Sequence, residues 1–74
     1  MTTELSSAIS DFVSQFSPLG EIKRKDKGAL MTLVFDNRYT AQAFFILSRE
    51  ELAKRNLNAI VRRVGRYQVN IVEA

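Results

Sequence analysis

The 74 residues fit one small domain, residues 1–74, with a single hydrophobic core. An apolar share of 46% and a charged share of 26% exclude the compositions typical of disordered chains. No apolar run approaches the roughly 20 residues of a membrane helix, so we expect no membrane partner. The absence of cysteine fits a reducing compartment and predicts a cytoplasmic location.

The charge of the chain is distributed unevenly. Residues 1–20 contain two acidic residues and no basic one, whereas residues 21–74 contain all 11 Lys and Arg and only six acidic residues. A basic segment of this kind indicates an acidic partner such as RNA, because phosphates attract clustered cations. The same charge balance also occurs in small basic proteins that bind no polyanion.

Catalysis has few candidate residues in this sequence. Histidine and cysteine, the commonest general base and the thiol nucleophile, are both absent. Glu50 and Glu51 are adjacent, so their side chains diverge on a helix and do not form an acid/base pair. The three glycines are isolated and form no phosphate-binding loop. The sequence therefore predicts a protein that is not an enzyme, with no catalytic residue, no cofactor and no metal site.

The first predicted element is a helix over residues 3–16, in which apolar residues recur at spacings of three and four. Thr2 or Thr3 is expected to cap its N-terminus. Ser17-Pro18 is expected to end it, because the residue before a proline avoids the helical conformation. The apolar stripe consists of Leu5, Ile9, Phe12, Val13 and Phe16.

A β-hairpin is predicted next. Residues 21–26 form a lysine-rich strand of the kind found at sheet edges, and residues 26–28 form the turn. Residues 29–35 form a strand that is apolar on both faces apart from Thr32, which suits a central strand. Which of its faces meets the helices stays open. The two alternative sets are Leu30, Thr32 and Val34, or Ala29, Met31, Leu33 and Phe35.

A second helix is predicted around residues 40–47, with Asp36 or Asn37 as its N-cap. Residues 48–51 match the Ser-x-x-Glu capping box, so the helix either continues there with a bend or restarts. We expect it to end near Arg55.

Two β-rich runs flank Gly65-Arg66, a pair that indicates a two-residue hairpin loop. The expected cross-strand pairs are Val64 with Tyr67, Arg62 with Val69, and Ile60 with Ile71. The expected inward row is Tyr67, Val69 and Ile71, and the expected outward residues are Gln68 and Asn70.

The predicted fold class is α+β: a two-layer sandwich of order αββαββ, with a four-stranded antiparallel sheet and two helices on one face. Moving the last strand to the front gives the order βαββαβ of the ferredoxin-like arrangement. The sequence therefore predicts a circularly permuted ferredoxin-like topology. In it, the lysine-rich strand and the first strand of the last hairpin form opposite edges of the sheet.

Several segments resemble the RNA recognition motif, a family with the ferredoxin-like fold. They are FSPLGEI (16–22), KGALMTLVF (27–35), NRYTAQAFFIL (37–47) and GRYQVNIVEA (65–74). The resemblance implies RNA binding on the sheet. The family's Lys/Arg-Gly-aromatic-Gly/Ala-aromatic signature begins at Lys27-Gly28, but Ala29 and Met31 hold its aromatic positions, so stacking on aromatic rings is not expected.

A second, shorter resemblance concerns the sixth small-subunit ribosomal protein family, which is also ferredoxin-like and binds ribosomal RNA. RYQVNIV (66–72) is similar to its opening strand and VRRV (61–64) to its closing strand. These strands lie at opposite ends of the family's chains and are adjacent here, as a circular permutation implies.

The candidate RNA-binding residues form two basic clusters, one on each hairpin. Cations on opposite edge strands could flank the open face of the sheet and hold phosphates. Alternation places Lys23 and Lys25 on one face and Arg24 on the other. The full set, which includes three residues expected to touch bases, is Lys23, Arg24, Lys25, Lys27, Met31, Arg62, Arg63, Arg66, Gln68 and Asn70.

Two alternative functions remain open at this stage. An apolar row on the exposed sheet face favours a protein partner or a second copy of the chain, and Met31 suits an adaptable contact there. An engineered scaffold without a natural ligand also fits the regular order of elements. In either case the edge lysines would serve only to prevent aggregation.

Overall fold

Two helices and four strands follow one another in the order αββαββ in the computed structural model, which describes all residues from 1 to 74. The elements are α1 (Thr3–Phe16), a short 3₁₀ turn (Ser17–Leu19), β1 (Ile22–Lys27), β2 (Leu30–Phe35), α2 (Arg38–Lys54), β3 (Ala59–Val64) and β4 (Gln68–Glu73). All four strands form one antiparallel sheet in the order β1-β2-β4-β3. The predicted α+β class with two helices and a four-stranded antiparallel sheet is confirmed.

Both helices cover the same face of the sheet, and the hydrophobic core lies between the two layers. The register pairs Met31 with Ile71 and Leu33 with Val69, so these four side chains share that face. All four are at most 1% exposed. The set of β2 residues that includes Met31 and Leu33 therefore faces the helices, which decides the question that the sequence left open.

Four phenylalanines connect the two helices to the sheet. The ring centroid of Phe44 in α2 lies 5.3 Å from that of Phe12 and 5.2 Å from that of Phe16 in α1. It also lies 5.2 Å from the ring of Phe35 in β2. The rings are tilted or edge-on, which is the arrangement that aromatic quadrupoles favour. Phe44 thus joins three elements through one fully buried side chain.

Helix α1 begins and ends as predicted. Thr2 is its N-cap, and the Thr2 hydroxyl oxygen accepts a hydrogen bond from the Leu5 N–H at 3.3 Å. The helix ends at Phe16, and the chain then forms the 3₁₀ turn that contains Pro18.

Helix α2 is continuous through Ser48. The predicted capping box at residues 48–51 does not form, because the buried Ser48 hydroxyl donates to the carbonyl of Phe45 within the helix. Asn37 is the N-cap, and its side-chain oxygen accepts from two backbone N–H groups of the first turn. The helix ends at Lys54, and two residues later Asn56 adopts a left-handed conformation with a φ of 56°.

The first hairpin is displaced from the prediction by one residue. Strand β1 ends at Lys27, which pairs with Leu30, so the loop consists of Gly28 and Ala29 rather than residues 26–28. Gly28 has a φ of 60°, which glycine adopts without steric cost.

The predicted register of the second hairpin is wrong by one residue. The loop has three residues, Gly65–Tyr67, and Arg62 pairs with Asn70 instead of Val69. A shift of one residue moves side chains to the other face of a sheet, and the predicted pairing would have placed Arg62 among the core residues. Tyr67, which was expected in the inward row, lies in the loop, and its side chain is 47% exposed. Its backbone carbonyl accepts a hydrogen bond from the Phe35 N–H at 2.7 Å.

Gly20 allows a close approach between the α1–β1 connection and the end of β2. It has a φ of 149°, and a Cβ atom added there would collide with the carboxylate of Asp36. That carboxylate accepts a hydrogen bond from the Glu21 N–H at 3.2 Å. A side chain at position 20 would therefore strain the backbone and displace Asp36.

We predict that Gly20→Ala lowers the free energy of unfolding by about 2–4 kcal/mol, since both backbone strain and a lost hydrogen bond contribute. Gly28→Ala is the matched control, because Gly28 also has a positive φ but has open space around its Cα. We expect Gly28→Ala to cost only about 1–2 kcal/mol. Urea unfolding measures both values, and equal losses would show that the contact with Asp36 is not a constraint.

Glu73 near the end of β4 binds the start of α1. Its carboxylate accepts hydrogen bonds from the Thr2 N–H at 3.1 and 3.2 Å, and the Met1 amino group lies 3.4 Å away. The hydrogen bond from Thr2 lowers the pKa of Glu73 below its ordinary value, and the nearby amino group acts in the same direction. Because the folded-state pKa is the lower one, this contact stabilises the fold above the ordinary pKa of glutamate, about 4.3, and is lost as the pH falls through the lowered value.

We predict that Glu73→Gln is less stable than the wild type at pH 7 and that the difference shrinks toward zero as the pH falls below about 4. Urea unfolding at a series of pH values measures this difference. Glu21→Gln is the control, because it removes a carboxylate that makes no side-chain hydrogen bond. A Glu73→Gln difference that stays constant from pH 7 to about 3 would contradict the assignment.

Candidate nucleic-acid interface

The sheet face that points away from the helices carries the candidate site. Alternation along each strand and the cross-strand register assign its residues, which form three rows across the four strands. The middle row runs from Lys25 through Thr32 and Asn70 to Arg62. We call this surface the open face, and its residues are Lys23, Lys25, Lys27, Leu30, Thr32, Val34, Ile60, Arg62, Val64, Gln68, Asn70 and Val72.

The residues of the open face carry positive charge and no carboxylate, although Glu21 and Asp36 lie at its rim in a depression shared with Lys23 and Val34. Three lysines lie along β1, and Arg62 lies at the opposite edge on β3. None of these four cations forms a salt bridge, whereas the acidic residues of the strands have partners on the helix side. Asp26 pairs across the sheet with Met31, and Glu73 pairs with Ala59. The strand pattern thus confines the strand carboxylates to the helix side, where Arg24 and Arg63 also lie, and leaves only cations as charged groups on the open face.

The cations of the open face are regularly spaced along and across the sheet. Alternate residues of a strand lie about 6.7 Å apart, which is the separation of successive lysines on β1. Three inter-strand steps of about 4.8 Å separate Lys25 from Arg62, a distance of about 14 Å across the sheet. The three lysines therefore form a line of positive charge along β1, and Arg62 faces it from the opposite edge.

Polar groups occupy the middle of the open face. The Gln68 side-chain amide donates to the Asn70 side-chain oxygen at 3.0 Å, so the two amides form a connected pair on β4. Thr32 lies beside Asn70 on β2. These side chains offer both donors and acceptors between the two charged edges.

Arg24 does not belong to this surface, although the sequence included it in the candidate set. It lies on the opposite face of β1, where its guanidinium donates to the Ser10 hydroxyl at 2.7 Å. It also forms an ion pair with Asp26 at 3.1 Å. The sequence predicted that Arg24 and Lys25 lie on opposite faces of β1, and this alternation places Arg24 away from the open face.

Arg63 is also turned away from the open face. Its guanidinium donates to the carbonyls of Arg38 at 3.1 Å and Arg66 at 2.8 Å, and to the side chain of Gln42. Its buried Nε has no partner. Arg63 therefore fixes α2 and the β3–β4 turn, while Arg66 itself lies exposed in that turn.

The expectation that Met31 contacts bases is wrong. Met31 is 1% exposed and packs under the helices, because it pairs with Ile71 on the inner face. No aromatic side chain takes its place on the open face, since the aromatic rings that reach the sheet belong to the core cluster around Phe44. The open face therefore offers no aromatic ring on which a base could stack.

Of the ten candidate residues, six lie on the open face. They are Lys23, Lys25, Lys27, Arg62, Gln68 and Asn70. The sequence did not single out Thr32, which lies at the centre of the middle row beside Lys25. The signal that could have found it is the isolated polar side chain in an otherwise apolar strand, since a central strand exposes polar side chains on the face that solvent reaches.

No three His, Cys, Asp or Glu side chains come together in an arrangement that could hold a metal ion. A depression on the open face is lined by five of its residues and by the intervening Arg24, whose guanidinium points to the other face: Lys23, Arg24, Lys25, Thr32, Val34 and Gln68. Neither helix combines the length and the apolar character that crossing a membrane requires.

Comparison with known proteins returned no relatives: no family model, no curated protein and no solved structure matches this chain.

Proposed function

We propose that this chain is a small, non-enzymatic RNA-binding module that holds the phosphates of a single strand on the open face of its sheet. The observation that carries the proposal is the separation of charge: four unpaired cations and no carboxylate share this face. Clustered cations release the counterions condensed on a nucleic acid, and this release supplies binding free energy that depends on salt.

The topology supports the same proposal. The sheet order β1-β2-β4-β3 is the one expected if β4 takes the place of the first strand of a ferredoxin-like domain. We therefore propose that the fold is a circular permutant of that arrangement, similar to the RNA recognition motif. In such a domain the open sheet face is the surface that binds RNA.

Binding on this surface would depend little on base identity. Without aromatic rings, the face lacks the stacking contribution of about 1–3 kcal/mol per base. Thr32, Gln68 and Asn70 can instead hydrogen-bond to base edges or to ribose 2′-hydroxyls, which distinguish RNA from DNA. The expected behaviour is weak, salt-sensitive binding of single strands.

We predict that Lys25→Gln weakens binding of a labelled single-stranded oligouridine and reduces its salt dependence. Four phosphate contacts give a slope of log K against log[salt] of about −3, and the loss of one contact changes it to about −2. Fluorescence anisotropy titrations between about 50 and 200 mM salt measure both slopes.

Arg24→Gln is the matched control, because it removes one positive charge from the same strand on the opposite face. We expect its RNA affinity and its salt slope to equal those of the wild type. Equal losses in the two variants would show that binding follows net charge alone, and an absence of wild-type binding at low salt would refute the proposal.

The second candidate function is association of two copies through the open face. Val34, Ile60 and Val64 are 37%, 44% and 46% exposed there, which favours a protein contact. However, a face-to-face dimer would bring together the four cations of each copy without a carboxylate between them. Repulsion between like charges opposes this arrangement.

We therefore expect sedimentation equilibrium at low salt to show a monomer. We also expect Val34→Lys and Val64→Lys to leave the sedimentation of the protein unchanged. A wild-type dimer that these substitutions dissociate would establish the second candidate in place of the first.

A further inference from the structure

The two edges of the sheet differ in how they are protected against pairing with another strand. The edge strand β1 carries Lys23, Lys25 and Lys27, and lysines of this kind discourage the addition of a further strand. The edge strand β3 has no lysine, no proline and no bulge, and it exposes Ile60 and Val64. Its charges are those of Arg62 and Arg63, so this edge discourages a basic strand but is open to the addition of an acidic one.

The backbone groups at the β3 edge that are free to pair can be assigned. The Ala74 N–H donates to the Asn58 carbonyl at 3.2 Å, next to the start of β3. Bonded and non-bonded pairs alternate along an antiparallel ladder, so Ile60 and Arg62 direct their backbone groups toward β4. Ala59, Val61 and Arg63 consequently direct theirs outward, where no strand of this chain lies.

An apolar groove runs beside this edge, between β3 and the last turns of α2. Its lining is apolar except for one arginine and consists of Arg49, Leu52, Ala53, Leu57, Ala59, Ile60 and Val61. A strand added to β3 would place alternate side chains into this groove. The groove thus offers a site for an apolar side chain next to the free backbone groups.

The charge of this edge identifies the kind of strand that fits. Arg62 and Arg63 occupy the middle of β3, on opposite faces, and Arg49 lies at the groove. The Arg62 guanidinium has no partner, whereas that of Arg63 already donates to α2 and the β3–β4 turn and contributes its charge alone. No carboxylate lies in β3 or lines the groove. Opposite charges on neighbouring strands stabilise a sheet, so acidic residues opposite the two arginines are favourable.

We propose that an extended acidic peptide segment of another protein adds to β3 as a fifth strand. Its apolar residues would lie opposite Ile60, Val61 and Val64, and its acidic residues opposite Arg62 and Arg63. The free backbone groups of β3 supply the hydrogen bonds, and the groove and the arginines select the sequence.

A second copy of the chain is a less suitable occupant of this edge. Antiparallel pairing of β3 with its copy, centred on the strand, would gather Arg62 and Arg63 of both copies in the middle of the interface. No carboxylate lies there to offset these four charges. Charge complementarity therefore selects the acidic peptide over self-association.

The test uses a synthetic peptide with the central order Val-Glu-Glu-Val-Val, written for antiparallel addition to residues 60–64. Amide hydrogen exchange of the full chain is followed by NMR with and without the peptide. We expect the amides of Val61 and Arg63 to exchange at least about tenfold more slowly with the peptide, since each gains a hydrogen bond. The amides of Ile60 and Arg62 should change little, because they already donate to β4.

A peptide with lysines in place of the two glutamates is the control for charge, and we expect it to give no protection. Val61→Pro should abolish the effect of the acidic peptide, because it removes an outward N–H that no strand of the chain uses. Val61→Ala shortens the side chain but keeps the backbone N–H, so this variant should retain the effect. If Val61→Pro does not fold, the exchange pattern of the wild-type amides decides the test alone.

Four outcomes would overturn the proposal. They are protection spread evenly over the sheet, equal protection by the lysine peptide, slow exchange at Val61 and Arg63 in a peptide-free dimer, and selective protection of the same amides by RNA. The variant Lys25→Gln separates this site from the open face, because it should weaken RNA binding and leave peptide binding unchanged.

Discussion

The register of β4 is the constraint on which the rest of the structure depends. This strand lies at the centre of the sheet, hydrogen-bonded to β2 on one side and to β3 on the other. Its Val69 and Ile71 are completely buried under the helices, and its Gln68 and Asn70 lie on the open face. A slip of one residue would exchange these two pairs, placing amides in the core and valine and isoleucine in water. The hydrophobic effect therefore fixes three strand pairings at once: the hairpins β1–β2 and β3–β4, and the pairing of β2 with β4.

The separation of charge follows from this register. Once β4 is fixed, β1 and β3 are fixed with it, and their alternating side chains are distributed between the two faces. The carboxylates fall near backbone N–H groups or an arginine, as Asp36 does at Glu21 and Asp26 does at Arg24. The open-face lysines have no such partners. One physical requirement, the burial of an apolar row, thus produces a surface whose field is positive on one side of a thin domain.

Much of the fold could be predicted from the sequence because its patterns are local. The spacing of apolar residues in α1, the Thr2 cap and the Asn37 cap are each decided by a few neighbouring residues, and the structure agrees with them. The capping box at Ser48 was misleading for a physical reason: the tertiary burial of that residue against α1 outweighs its local preference for a helix start. Local sequence preference is therefore a weak guide where tertiary packing buries the residue.

The candidate site was harder to predict because it depends on hairpin register. Gly65-Arg66 suggested a two-residue loop, but the pairing of Val64 with Gln68 makes the loop three residues long, and the Tyr67 carbonyl instead accepts from Phe35 of β2, far away in sequence. That single residue decides whether Arg62 or Arg63 reaches the open face. The sequence of β2 did not show whether Met31 points toward the helices or toward the open face, because the side chains on both faces of this strand are mostly apolar. Partners distant in the chain settle both questions.

The hydrogen bonds between Thr2 and Glu73 also bring the two ends of the chain side by side. A short flexible segment could join them and make the backbone a closed ring without disturbing either layer. New ends could then be opened in the loop at Gly28 and Ala29, which lies at an exposed tip of the sheet. The same set of contacts could thus be encoded by chains that start at different points, so that the order in which the elements are synthesised is separable from the architecture they build.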